Sequence, residues 1–421
     1  MAGEWREVTV GEIAPFTYGK GLPEARRNPT GNIPVYGSNG VVGLHDVPLT
    51  NGPTVVIGRK GTVGAVHYSP VPCWPIDTTF FVTGSDPSLV RYRYYLLKSL
   101  GLEHMNSDSA VPGLNRDAAH VRRVRIPSKQ TDQRAIACIL GSLDDKIELN
   151  RRMNKTLEEM ARAIFKSWFV DFDPVRTKAA IRREHPKWSD EQVSRLSAEQ
   201  AGAACPKLKP DIAALFPDSF EDSELGEIPK GWRVGQFGDI VQIHDSKRIP
   251  LSSRERAKRQ GPYRYYGAVG IVDYVDDFLF DGTYVLVGED GSVVTDLGNP
   301  VVQYVWGKFW VNNHAHVLKA AGSFSDEHLL LVLQQVYVVP FVTGAVQPKL
   351  SQTNMNAIPI LRAKPEVNIA FNKLIEPIFA KVRMLHDEIG LLAALRDALL
   401  PKLISGELRV PDAERIAGRC V

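Results

Sequence analysis

The sequence repeats itself once, and that duplication constrains the fold more than any other feature. Val10-Gly11-Glu12-Ile13 returns as Phe237-Gly238-Asp239-Ile240, a shift of 227. Tyr36-Gly37 returns as Tyr266-Gly267, and Gly58-Arg59-Lys60-Gly61-Thr62-Val63 as Gly288-Glu289-Asp290-Gly291-Ser292-Val293, both shifted by 230. Ala110-Val111 returns as Ala345-Val346, and the same shift of 235 carries Leu143 to Ile378, Lys146 to Lys381, Leu157 to Leu392 and Val175 to Val410. An ordered series that drifts so little along the chain is a tandem duplication with a period far longer than a solenoid repeat.

Each copy has a β-rich part followed by a helical part. Residues 1–128 and 227–362 are rich in glycine, proline, valine and aromatics. Pro53–Gly58, Asp77–Val82 and Gly282–Gly288 read as strands, while Leu89–Leu100 and Asp326–Tyr337 read as helices. Residues 129–170 and 363–405 carry apolar residues at alternating steps of three and four. The first series is Ile136, Leu140, Leu143, Ile147, Leu157, Ile164 and Trp168, interrupted by Asn150 and Asn154. The second is Ile375, Ile378, Val382, Leu385, Ile389, Leu392, Leu399 and Leu403, with Pro377 near its first turn and Pro401 expected to kink or end it. About 35 residues make a helix of ~50 Å, too long to bury its stripe on one small β domain, so the two helices are expected to pack on each other. Residues 176–226 lack a counterpart; 171–226 read as a linker with a short helix, and 406–421 as a tail. The fold class is therefore α+β: two mixed, mostly β domains alternating with two long helices.

No sign of catalytic chemistry is visible. The sequence has no Gly-x-x-x-x-Gly-Lys-[Ser/Thr] loop, no Gly-x-Gly-x-x-Gly, and no Asn-Pro-Pro-Tyr or Asp-Pro-Pro-Tyr. Asp144-Asp145-Lys146 has the look of a nuclease metal site, but on a long helix without a partner carboxylate it reads as a solvated face. His314-Ala315-His316 at strand spacing places both rings on one face with no third ligand, which favours a hydrogen-bonding or DNA-facing pair over a metal centre. Four scattered cysteines fit free thiols in a reducing cytoplasm, and no apolar run reaches membrane-spanning length.

The net charge of +3 names no partner, so the arrangement of charge has to. Residues 91–125 hold seven Lys/Arg against three acids, among them Arg91, Arg93 and Arg116. Residues 247–264 hold seven against one, among them Lys247 and Arg248, and tyrosines including Tyr265 and Tyr266 interleave. Basic patches of this kind suit phosphate contacts. The glycine-flanked loops sit at one place in both copies with opposite charge: Arg59 or Lys60 can donate to guanine, while Glu289 or Asp290 can accept from cytosine. Ser38, Asn39, Thr62, Ser292, Asn313, His314 and Lys349 complete the candidate DNA-binding set.

These features together resemble the specificity (S) subunits of type I restriction–modification systems. The echoes are Tyr36-Gly37-Ser38-Asn39-Gly40, Phe172-Asp173-Pro174-Val175, Leu215-Phe216-Pro217-Asp218-Ser219-Phe220, Leu225 to Trp232, and Leu400-Pro401-Lys402-Leu403-Ile404-Ser405-Gly406-Glu407-Leu408. The resemblance implies two target recognition domains, each reading half of a bipartite double-stranded DNA site. It implies an antiparallel coiled coil with internal pseudo-twofold symmetry that docks two modification (M) subunits, with restriction (R) subunits added. Ile147, Leu157, Ile164, Trp168, Val382, Leu392, Leu399 and Leu403 are the helix positions expected to serve partner binding. S-adenosylmethionine, ATP and Mg would enter through the other subunits, and this chain would be non-catalytic, bind no cofactor or metal, and sit in the cytoplasm. Two rival readings are a self-contained methyltransferase or nuclease with fused specificity domains, and a coiled-coil scaffold that does not bind DNA.

Overall fold

The computed structural model describes residues 4–105, 113–200, 207–344 and 346–418; the Ala110-Val111 and Ala345 matches, Cys205 and Cys420 lie outside them. The chain divides into two compact units, residues 1–152 with 386–421, and residues 153–385.

The same sheet plan is built in each unit. In the first, a four-stranded sheet has the order Thr17–Tyr18, Thr79–Val82, Thr54–Gly58, Val66–Ser69. In the second, the order Val241–Ile243, Ala315–Ala320, Tyr284–Gly288, Val302–Val305 repeats it strand for strand. Thr54–Gly58 is buried at every residue, as a central strand covered on both faces must be. A second sheet in each unit includes a parallel pair, Ile33–Gly37 with Trp74–Pro75 and Tyr263–Tyr266 with Lys308–Val311. A two-stranded ribbon, Trp5–Thr9 with Arg123–Pro127 or Arg233–Gln236 with Pro359–Arg362, closes each domain.

The long helices run from Gln130 to Phe169 and from Pro365 to Ser405, 40 and 41 residues or about 60 Å each. The second passes through both Pro377 and Pro401, so neither ends it. Each proline removes one intrahelical hydrogen bond, and Leu399, Leu400 and Leu403 around Pro401 stay buried and hold the helical course. In the first unit, Asp144 meets Arg396 at 2.7 Å and Lys146 meets Glu388 at 3.7 Å, so the two segments run antiparallel there. Within Asp144-Asp145-Lys146, Asp145 is exposed, as a solvated face requires, but the charges are paired: Asp145 with Arg91 at 2.7 Å, while Tyr95 donates to Asp144 at 2.5 Å. In the second unit, Phe165, Trp168 and Phe169 all lie against Phe371.

The segment expected to be a linker is folded. It forms helices Asp173–Glu184, Asp190–Glu199 and Pro210–Ala214 and a hairpin, Phe220–Ser223 with Gly226–Pro229. The buried Lys178 ammonium donates to the carbonyls of Ala213 and Phe216, and Arg182 grips Asp218 at 2.7 Å. Those bonds are long-range, which is why the proline-broken sequence gave no hint of them. Among the described residues, no helix is long and apolar enough to cross a membrane.

Leu143 is fully buried where the first unit's strands and helices meet. Leu143→Ala is expected to cost about 2–5 kcal/mol. The check is urea unfolding, where the midpoint of the transition involving this unit should fall.

Candidate nucleic-acid interface

The glycine-flanked loops leave the central strand of each four-stranded sheet. Gly61 and Gly291 both adopt positive φ, +78° and +81°, the left-handed turn that lets the loop reverse. Each loop is stitched to a later segment in the same manner: Leu114 donates to the Arg59 carbonyl and Leu350 to the Glu289 carbonyl, both at 2.9 Å. The backbone frame is shared and the side chains are not.

In the first unit the loop presents cations. Lys60 and Thr62 are exposed, and the guanidiniums of Arg59 and Arg116 lie 5.4 and 5.2 Å from the ring centroid of Tyr18. Tyr18 is 48% exposed and rests on Phe80. Its place in the site was not foreseen, because one tyrosine forty residues from the loop carries no local signal. Asn39 is exposed, but Ser38 is buried and donates to the Thr78 carbonyl at 2.7 Å. Arg91 is spent on Asp145 and the Gly141 carbonyl, and Arg93 on the Thr83 carbonyl. Tyr92 and Tyr95 are core residues of helix Pro87–Lys98. The basic run at 91–125 is therefore not one patch: helical periodicity turns part of it inward, where Arg91 pairs with a carboxylate and Arg93 bonds a carbonyl.

In the second unit the loop folds over a buried polar network. Arg248, with its side chain 12% exposed, donates to Glu289 at 2.7 Å and to the Ala315 carbonyl, and lies 3.3 Å from Asp245. Lys349 meets the other Glu289 oxygen at 3.1 Å. His316 is buried, with Nδ1 2.6 Å from Asp245 and Nε2 2.8 Å from the Leu350 carbonyl. Against expectation, the side chains of Arg248 and Glu289 are thus paired within the domain, and Tyr265 and Tyr266 are core. Exposed at this loop are Ser292, Asn313 and His314, with Asp290 half-buried behind His314 at 2.5 Å. His314 lies in the turn before strand Ala315–Ala320, so it and His316 do not share a face. Lys247 is exposed, whereas Arg256 and Arg259 are neutralised by Asp273 and Asp276.

Asp245, Glu289 and His316 bring ligand-type atoms within 4.8 Å of one another, a grouping not visible in the sequence. Arg248 and Lys349 supply its positive charge, so the residues make a compensated ion network rather than an open cage. Burial pushes the Asp245 carboxyl up, but the His316 ring, the Val317 N–H and Gln352 outweigh it and hold it below the usual range. Burial likewise raises Glu289, and Arg248, His316 and Lys349 overcome it. Both groups bind protons less tightly folded than unfolded. Their contribution to stability is complete above the ordinary carboxylate range and is lost as pH falls below about 4. Asp245→Asn should lower the denaturant midpoint near neutral pH and flatten its decline in acid, measured by urea titration across that range. A decline as steep as in the unsubstituted protein would show that the acid limb arises elsewhere.

The helix positions expected to bind partners are turned inward: Ile147, Ile164, Trp168, Val382, Leu392, Leu399 and Leu403 are buried and Leu157 is half-buried within this chain. Leu149, Met153, Met160, Ile369, Met384 and Leu391 are exposed apolar residues of the two helices.

Known proteins carry this arrangement. The chain matches the family described as Type I restriction modification DNA specificity domain over residues 2–159 and 229–361. It is 25% identical over 377 residues to the type I restriction enzyme MjaIX specificity subunit of Methanocaldococcus jannaschii, covering 85% of this chain and 78% of that one. It is 28% identical over 334 residues to the HindI specificity subunit of Haemophilus influenzae, covering 70% and 71%. The crystal structure of the type I restriction-modification S subunit from M. genitalium shares its fold, with a TM-score of 0.58 at 17% identity over 95% of this chain and 96% of that one. Two repeated sheet plans, a diversified loop in each and these matches lead to one conclusion: the chain belongs to the type I restriction–modification specificity family and carries its DNA recognition domains.

Proposed function

We propose that the domain of each unit reads one half of a bipartite duplex site, and that the long helices pair as an antiparallel coiled coil that sets the gap between the halves. The observation that carries this is the shared loop frame with unlike side chains: cations at Arg59 and Lys60 in one copy, and His314 over a closed ion network in the other. A shared frame docks two similar stretches of duplex in the same way, and different side chains then select different bases. Duplication places equivalent faces in both halves, which suits two modification subunits binding alike. Exposed Leu149, Met153, Met160, Ile369, Met384 and Leu391 are apolar helix positions open to them. The methyl donor, ATP and Mg then enter through modification and restriction subunits in the cytoplasm, and this chain supplies no catalytic group.

The full chain mixed with its modification subunits is expected to methylate adenine in a bipartite motif, while the chain alone neither methylates nor cuts DNA. Methylation by the isolated chain would sink the reading. A short helical segment inserted after Met153 should widen the gap in the methylated motif and leave the bases of both halves unchanged. Each helix of about 60 Å spans more than one ~34 Å turn of duplex. An unchanged gap in an active complex would show that helix length does not set the spacing.

A further inference from the structure

Four positions of the fold converge on one spot in each unit, and strand register makes them equivalent. Gly58 pairs with Thr79 and Gly288 with Ala315, so the residues that follow, Phe80 and His316, correspond. Tyr18 pairs with Phe80, and Asp245, 227 positions after Tyr18, bonds His316 at 2.6 Å. Arg59 and Glu289 follow the matching glycines, and each accepts from a leucine N–H. Arg116 and Gln352 each open the short helix after that leucine, behind the caps Asn115 and Ser351. Gln352 donates to Asp245 at 2.6 Å, just as Arg116 lies over Tyr18. One set reads Tyr, Arg, Phe, Arg; the other reads Asp, Glu, His, Gln.

The two sets differ in how their charge is settled. In the second unit Arg248 and Lys349 close the set on itself. In the first, Arg59 makes no side-chain hydrogen bond or ion pair among the described residues, and its Nε is buried without a partner. Among the described residues, Arg116 pairs with the exposed Asp117, at 3.2 Å. Among the described residues, two guanidiniums on one half-exposed ring, beside exposed Lys60, meet one carboxylate, the exposed Asp117, and leave donors unspent. Resting on a ring face limits the rotamers of a long side chain, so less freedom is lost when its fork meets a planar acceptor edge.

We infer that Tyr18 is a positioning residue that holds Arg59 and Arg116 as a guanine-reading pair for the half-site of the first unit. Their planar donors match guanine O6 and N7. This rests on the assignment of one half-site to each unit. The geometry also implies that Arg116→Gln, which installs the second unit's residue type, changes which base is accepted without disturbing the loop frame.

The test uses the full chain with its modification subunits, mapping the methylated motif and then measuring binding to duplexes carrying each base at each position of the motif. Tyr18→Phe keeps the ring and should leave the motif unchanged. Tyr18→Leu and Arg59→Lys should each lower the preference for one guanine of one half by about tenfold or more, with the other half unaffected. Thermal melting of each variant, unchanged from the parent, separates this from a folding defect, since Tyr18 is half-exposed. An equal loss of affinity on every sequence would make the pair phosphate contacts and overturn the proposal, as would an unchanged motif in both Tyr18→Leu and Arg59→Lys. If the unsubstituted complex yields no bipartite motif, the underlying reading itself fails, and the proposal with it.

Discussion

In the first unit, Leu140, Leu143 and Ile147 of one long helix share a single apolar core with Leu392, Leu399 and Leu403 of the other. That seam is what the rest of the unit depends on. The residues beneath the four-stranded sheet, Val55, Ile57, Phe80 and Val82, belong to the same core, as do Val90, Tyr92 and Leu96 of helix Pro87–Lys98. Each buried leucine or isoleucine contributes about 1.5–3 kcal/mol against exposure. The unit closes only when residues 386–421 return to residues 1–152. Neither copy of the duplication therefore ends where its domain ends: the helix that follows one β domain also contributes its far segment to the unit built on the other.

The second unit obeys the same rule with aromatic residues. Phe165 and Trp168 meet Phe371, and Ile375 and Phe379 share their core with Val285, Val287 and Leu318 beneath the second sheet. His328 lies fully buried against Phe165, Phe169, Phe324 and Phe371, and desolvation pushes it down to about 3. It is a neutral member of an apolar core at any ordinary pH. Polar residues on the seams are tied in a similar spirit: Arg396 to Asp144, and Arg383 to Glu327 at 2.9 Å. Half-buried pairs of this kind are weak sources of stability but penalise a slipped helix register, because slippage leaves a charge unpaired where water is scarce.

The long helices were legible because a stripe repeated over ten turns is a strong periodic signal, and the duplication was legible because identical turn residues recur at a steady shift. What escaped was whatever depends on distant partners. Arg91 and Arg248 read as surface cations because sequence shows charge but not Asp145 or Glu289 across the fold. Tyr265 reads as a DNA-facing aromatic until its hydroxyl is found bonding the Leu251 N–H at 2.8 Å in the interior. Residues 171–226 read as linker because Lys178 and Arg182 act over more than thirty residues. The loop glycines were correctly read as turn formers, yet the side chains that converge on them come from separate segments. Only strand register brings Tyr18 to Arg59, or Asp245 to Glu289.

Such convergence explains how one frame can carry two chemistries. Beneath both loops the central strand is held by apolar packing and main-chain pairing that make no reference to the variable side chains. An aromatic ring under two guanidiniums and a carboxylate bonded to imidazole and amide fill the same place. In the closed network the match is internal. In the open one the cations stand against a ring, solvent and the exposed Asp117. A position at which buried polar groups must be satisfied one way or another can be exchanged only as a set. Changing Asp245 alone would strand His316 and Gln352, whereas exchanging all four residues together leaves neither of them facing a lost partner. Specificity in this fold is therefore expected to move between sequences in concerted blocks of side chains drawn from four separate segments, over a backbone that stays where it is.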